Sequence, residues 1–117
     1  MIEVYVYTNA QDHIIAYEIT GHAHYADPGQ DIVCAGVSAV SIGTVNALEE
    51  LLDIHCEAEM NEDGYLSAIL PAVTDPERFD QAQLLLRSMV VTLKGIEASY
   101  DAYVRIQFES EGGKTPC

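Results

Sequence analysis

Between residues 21 and 38 the chain gathers His22, His24, Tyr25, Asp27, Gln30, Asp31, Cys34 and Ser38, almost everything reactive in it. A free thiol has a pKa of about 8.5, so a nucleophilic cysteine needs surroundings that lower this value. A helix N-terminus and an imidazole neighbour are two such surroundings. If a helix opens just before Cys34, its first-turn amides and positive dipole end favour an anion at sulfur. His22 lies twelve positions upstream in a Gly-rich segment, which can fold back to bring imidazole and thiol within hydrogen-bond reach. Asp31 has the chemistry of an N-cap, because its carboxylate can accept the unpaired amides of the first turn. Its charge opposes thiolate formation if it sits beside the sulfur, so a catalytic part for Asp31 makes more sense in orienting His22.

Each residue also has a plainer reading. A cysteine in an apolar helix is commonly a small buried hydrophobe, a loop histidine is commonly solvated, and Asp31 is most simply a cap. A second chemistry competes for the same stretch, since His22, His24, Asp27, Asp31 and Cys34 are all possible metal ligands. Their spacing resembles no standard structural zinc pattern.

The elements that must place these residues follow from hydropathy patterning. Residues 2–7 alternate Ile2, Val4 and Val6 with Glu3, Tyr5 and Tyr7, and residues 13–20 repeat the pattern with Ile15, Tyr17 and Ile19 on one face; Asn9 to Asp12 turn between them. Residues 21–30, with two glycines and a proline, read as a loop, long for so compact a chain. A helix capped by Asp31 runs from Ile32 to about Asp53, apolar nearly all round, and wants cover on more than one side, which a second subunit could supply. Residues 55–61 and 65–70 flank Asp63-Gly64 as a second hairpin. A second helix opens at Thr74-Asp75-Pro76-Glu77, through an Asp75 cap with Pro76 or a Thr74–Glu77 capping box, and runs to about residue 98. Residues 102–109 form a last strand. The order ββαββαβ predicts a two-layer α+β domain over residues 1–110, mainly antiparallel, with a flexible C-terminal tail at 111–117.

Composition narrows the function. Five Lys plus Arg against 19 Asp plus Glu give a net charge of −14 in 117 residues, and residues 1–77 hold 14 acids and no Lys or Arg. Gripping nucleic acid takes clustered cations, so direct DNA or RNA binding is excluded, as is an anionic membrane surface. The longest mostly apolar run, Ile32 to Ile42, is short of the roughly 18 residues a bilayer span needs. Three cysteines, Cys34, Cys56 and Cys117, form no disulfide framework and suit a reducing, cytoplasmic compartment. Cys56 and Cys117 have no motif context, and His55 reads as structural.

The block Gly21-His22-Ala23-His24-Tyr25-Ala26, then Gly29-Gln30-Asp31-Ile32-Val33-Cys34-Ala35, then Val37-Ser38, resembles the signature of the ribosomal-processing cysteine protease family, Prp. The likeness extends over essentially the whole chain. It implies a cytoplasmic, homodimeric endopeptidase without cofactor or metal, which removes a short N-terminal extension from large-subunit ribosomal protein twenty-seven by cutting after paired aromatic residues. By position it makes Cys34 the nucleophile, His22 the general base, Asp31 and Ser38 supporting residues, and Gly21 and Gly29 the glycines that bracket a mobile loop. His24 stands where relatives often carry glycine, and Gly36 where another small residue is common. The other readings of the same loop are a metal-binding site and a non-catalytic module that binds a basic ribosomal protein during assembly.

The charge distribution then predicts electrostatic steering, because an acidic surface around the site attracts a basic substrate. Cleavage of the full-length basic substrate is expected to fall with rising salt far more than cleavage of a short neutral peptide. Equal salt dependence of the two rates would reduce the charge to a solubility feature.

Overall fold

The computed structural model describes residues 1–110; the expected tail at 111–117, with Cys117, lies outside the described residues. Its elements are β1 (Ile2–Thr8), β2 (Ile14–Thr20), α1 (Ile32–Leu52), β3 (Glu57–Met60), β4 (Leu66–Ile69), α2 (Pro76–Ser99) and β5 (Val104–Ser110). The expected ββαββαβ order is the observed one. The five strands form one sheet in the order β3-β4-β2-β1-β5. Hairpins join β1 to β2 and β3 to β4, so those pairs are antiparallel, as is β2–β4. β5 arrives beside β1 only after the long α2 crossover, and that pair is parallel.

Alternation in β1 puts Ile2, Val4, Val6 and Thr8 on a buried face and leaves Glu3, Tyr5 and Tyr7 on the other. Tyr17 and Ile19 of β2, Leu66 and Ala68 of β4, and Val104 of β5 join that buried face. Both helices supply the opposite wall of the core, α1 through Val33, Val37 and Leu48 and α2 through Ala82, Leu86, Met89, Val90 and Leu93. One expected face is corrected. Tyr7 pairs with Ala16 but Thr8 pairs with Ile14, so a bulge skips Ile15 and brings Ile14 into the core in its place.

The helix ends follow local chemistry. Asp31 caps α1, and Asp53 closes it in the left-handed region at φ 54°, with its N–H and that of Ile54 returned to carbonyls of the last turn. Of the two starts open for α2, the structure takes the Asp75 cap with Pro76 in the first turn. Taken whole, the 21 residues of α1 are long and apolar enough to cross a bilayer, unlike the shorter Ile32–Ile42 run. Here α1 is a core helix. Its buried Ser41 offers a backbone carbonyl to the Tyr17 hydroxyl at 2.8 Å, tying α1 to the sheet at a site with almost no solvent.

A second buried polar tie locks α2 to the sheet. The Gln83 side chain accepts the Ile14 N–H and donates to the Ile14 carbonyl, both at 2.9 Å. Gln83→Leu keeps the volume but strands both backbone groups in a site where Gln83 is 6% exposed. A loss of about 2 kcal/mol is expected for unsatisfied buried groups, read as a lower urea midpoint with an unchanged slope. A midpoint equal to that of the wild type would show that water replaces the amide.

Candidate active site

Sequence neighbours on either side of one loop become spatial neighbours because β2 ends, and α1 begins, at the same edge of the core. His22 follows the last residues of β2, and Cys34 sits in the first turn of α1. Between them the loop doubles back and is held at four points. Ala23 is buried, and its N–H donates to Cys34 Sγ at 3.3 Å. The Tyr25 ring packs edge-on against Tyr100 and Tyr103, with centroids 5.6 and 5.1 Å away. The N–H groups of Tyr25 and Ala26 reach Asp31 Oδ2 at 2.9 and 3.3 Å. Gln30 N–H closes a turn on the Asp27 carbonyl.

Asp31 caps α1 as its chemistry predicts, and its second oxygen also holds the loop. Its Oδ1 accepts the Val33 and Cys34 N–H groups, both at 3.0 Å, and its Oδ2 takes the two loop amides. The carboxylate is bonded to the Cys34 backbone, and among the described residues no hydrogen bond joins it to His22. An N-cap has no oxygen to spare once one faces the helix amides and the other faces the loop. Burial pushes the Asp31 carboxyl up, but the bonds from the Cys34, Ala26 and Tyr25 amides outweigh it. The acid is held below its ordinary 3.8.

The two supposed partners are placed together without being joined. Cys34 is half-buried and His22 exposed, and both line the same two cavities. Among the described residues no hydrogen bond links the imidazole to the thiol; the His22 ring lies 6.0 Å, centroid to centroid, from that of His24. Ser38 is exposed and lines both cavities one turn beyond Cys34. One cavity, of 250 Å³, is walled by Ile2 and Ile19 of the first hairpin and by Met60, Asn61, Glu62 and Tyr65 of the second. The other, of 470 Å³, lies under the loop against His24, Ala26, Pro28 and Gly29. The thiol thus stands at the junction of two recesses, as attack in the middle of an extended chain requires.

Both expected glycines have left-handed backbones, Gly21 at φ +88° and Gly29 at +85°. A Cβ on Gly21 would run into the Met1 carbonyl oxygen, so the loop can leave β2 only through glycine here. His24 also has a positive φ, 57°, which explains why glycine suits its position and why a histidine can still hold it. Among the described residues no three His, Cys, Asp or Glu side chains are placed to share a metal ion. His55 stands apart, its ring between Asp53 Oδ1 at 2.8 Å and Glu49 Oε1 at 3.1 Å; the Asp53 bond raises its pKa. Cys56 is half-buried, and burial pushes its thiol pKa up. The second hairpin's share in the site was missed in the sequence. Asp63-Gly64 signalled a turn, but nothing in the spacing said which cavity it would wall.

Comparison with known proteins matches this geometry to a family. The family described as cysteine protease Prp matches residues 1–105. The ribosomal processing cysteine protease Prp of Bacillus subtilis is 40% identical over 107 residues, 91% of this chain and 96% of that protein. The crystal structure of an essential ribosomal processing protease Prp from Staphylococcus aureus, in complex with a covalently linked product peptide, superposes with a TM-score of 0.84 at 32% identity. The match covers 93% of this chain and all of that one. A structure of the Staphylococcus aureus protease with a substrate peptide gives 0.79 at 31% identity, with the same coverage of both chains.

Asp31 generates a pH prediction. A carboxyl whose folded pKa is depressed stabilises the fold above its ordinary value, and that contribution is lost as pH falls through the folded value. The amide resonances of Tyr25, Ala26, Val33 and Cys34 are expected to stay constant from neutral pH to about 4 and then to move together, with one shared midpoint below 3.8. In Asp31→Asn this joint transition is expected to vanish. Four unrelated midpoints in the wild type would separate the cap from the loop.

Proposed function

The chain belongs to the cysteine protease Prp family, and on that premise we propose that it removes the N-terminal extension of large-subunit ribosomal protein twenty-seven by Cys34–His22 thiol chemistry. One observation carries the reading: Cys34 Sγ lies at the N-terminus of α1, receives the Ala23 N–H, and opens onto both cavities that His22 lines. His22 takes the thiol proton, and the sulfur attacks the scissile carbonyl carbon to form a tetrahedral oxyanion. The intermediate collapses as the C–N bond breaks, and His22 gives its proton to the leaving amine. Water, deprotonated by His22, then adds to the thioester, and the C–S bond breaks to release the acid and restore the thiol.

The oxyanion needs donors already aimed at it. The first-turn amides of α1 are spent, because Val33 and Cys34 donate to Asp31 Oδ1 and Ala35 donates to the Asp31 carbonyl. The Ala23 N–H, already directed at the sulfur, is the donor we assign in their place. The loop closes over substrate about Gly21 and Gly29, whose positive φ values suit hinge positions. The enzyme works as a cytoplasmic homodimer in this reading. Exposed Ile32 and Leu51 on α1 support the dimer, and the free Cys34 and Cys56 suit a reducing compartment.

Cleavage of a peptide carrying the aromatic junction tests the mechanism. Cys34→Ser and His22→Ala are each expected to lower turnover by at least about a thousandfold while peptide binding is kept. Turnover retained by Cys34→Ser would remove the thiol mechanism.

A further inference from the structure

The turn between β3 and β4 lies against the imidazole of His22. Gly64 has φ +81°, and a Cβ there would stand 2.9 Å from Cε1 and 3.0 Å from Nε2 of His22, and 2.6 Å from the Gly21 carbonyl oxygen. The approach to the Gly21 carbonyl is to fixed backbone and the φ is left-handed, so a side chain at position 64 is strained, and the His22 ring, whose edge fills the rest of that space, would have to turn away. The turn itself is fastened on three sides. Asn61 Oδ1 accepts the Asp63 N–H at 2.8 Å, the Asn61 N–H reaches the Tyr65 carbonyl at 3.1 Å, and the Tyr65 hydroxyl donates to Glu18 of β2 at 2.9 Å.

We propose that Gly64 is a positioning residue for His22, the missing side chain of a fastened turn fixing where the general base stands relative to Cys34. The proposal rests on the reading of His22 as the base. His22 comes from an exposed loop start, and among the described residues no hydrogen bond holds its ring, so a packing surface is what limits its rotamers. The loop leaving β2 supplies the backbone of His22, and the β3–β4 turn, fastened back onto β2 through Tyr65 and Glu18, supplies the wall. The same turn lines the cavity beside Cys34, so peptide in that cavity lies against the element that places the base.

The pH profile of Cys34 alkylation by iodoacetamide, with the adduct located by mass spectrometry, separates positioning from mere stability. It is measured on the wild type, Gly64→Ala, His22→Ala and the double variant. The wild-type and His22→Ala profiles are expected to differ, because removing the imidazole removes its effect on the sulfur. Gly64→Ala is expected to shift toward the His22→Ala profile, and the double variant to match His22→Ala alone, because a residue that acts through the imidazole has no effect without it. Peptide turnover by Gly64→Ala should fall at least tenfold with KM changed less than twofold. A wild-type profile and turnover in Gly64→Ala, or additive effects in the double variant, would overturn the proposal. Identical profiles for wild type and His22→Ala would instead remove His22 as the base. If Gly64→Ala does not fold, the wild type decides: a strong nuclear Overhauser effect between a Gly64 α-proton and the His22 ring is expected, and its absence overturns the contact.

Discussion

The Asp31 carboxylate holds the site together. One oxygen caps α1 through the Val33 and Cys34 amides, and the other pins the loop through Tyr25 and Ala26. An N-cap is worth about 1 kcal/mol in an ordinary helix. Here the same group also decides where the loop lies, and with it where the Ala23 N–H points. The cost is electrostatic. A carboxylate beside the sulfur opposes a thiolate, so the base must arrive by another route, and the exposed placement of His22 leaves that route open.

The sheet supplies what the loop cannot. β2 ends at Thr20, two residues before His22, and pairs with β4, so the β3–β4 turn is brought over the imidazole by strand register and not by chain proximity. α1 meets the sheet through Val33, Val37 and Leu48, and its N-terminus opens where the first hairpin ends. The Tyr17–Ser41 and Gln83–Ile14 bonds make these contacts specific to one arrangement, since a slip would strand buried polar groups. Three elements, each stable for its own reasons, meet around one sulfur.

How far the residues could be read in advance depended on the range of the interaction that fixes them. The Asp31 cap, the Asp75–Pro76 start and the Asp63-Gly64 turn are set by side chains within three positions, and each stands where its local chemistry puts it. The second strand's inward face was misjudged by one residue at Ile15, because a bulge is imposed by the partner strand and leaves no period-two signature. For Asp31 the cap was legible but the use of its second oxygen was not, because only the folded loop brings the Tyr25 and Ala26 amides to it.

The sequence alone determined the element order, the concentration of reactive groups in residues 21–38, and the uneven charge that leaves residues 1–77 without a Lys or Arg. These are properties of neighbours and of sums. Tertiary structure alone decided that the Ala23 N–H, not a first-turn amide, is directed at Cys34 Sγ, that two cavities meet at the thiol, and that Gly64 lies on His22 across more than forty positions. Such contacts depend on which strands pair and in which register. Many pairings satisfy the same local pattern, and only packing of the whole core selects one.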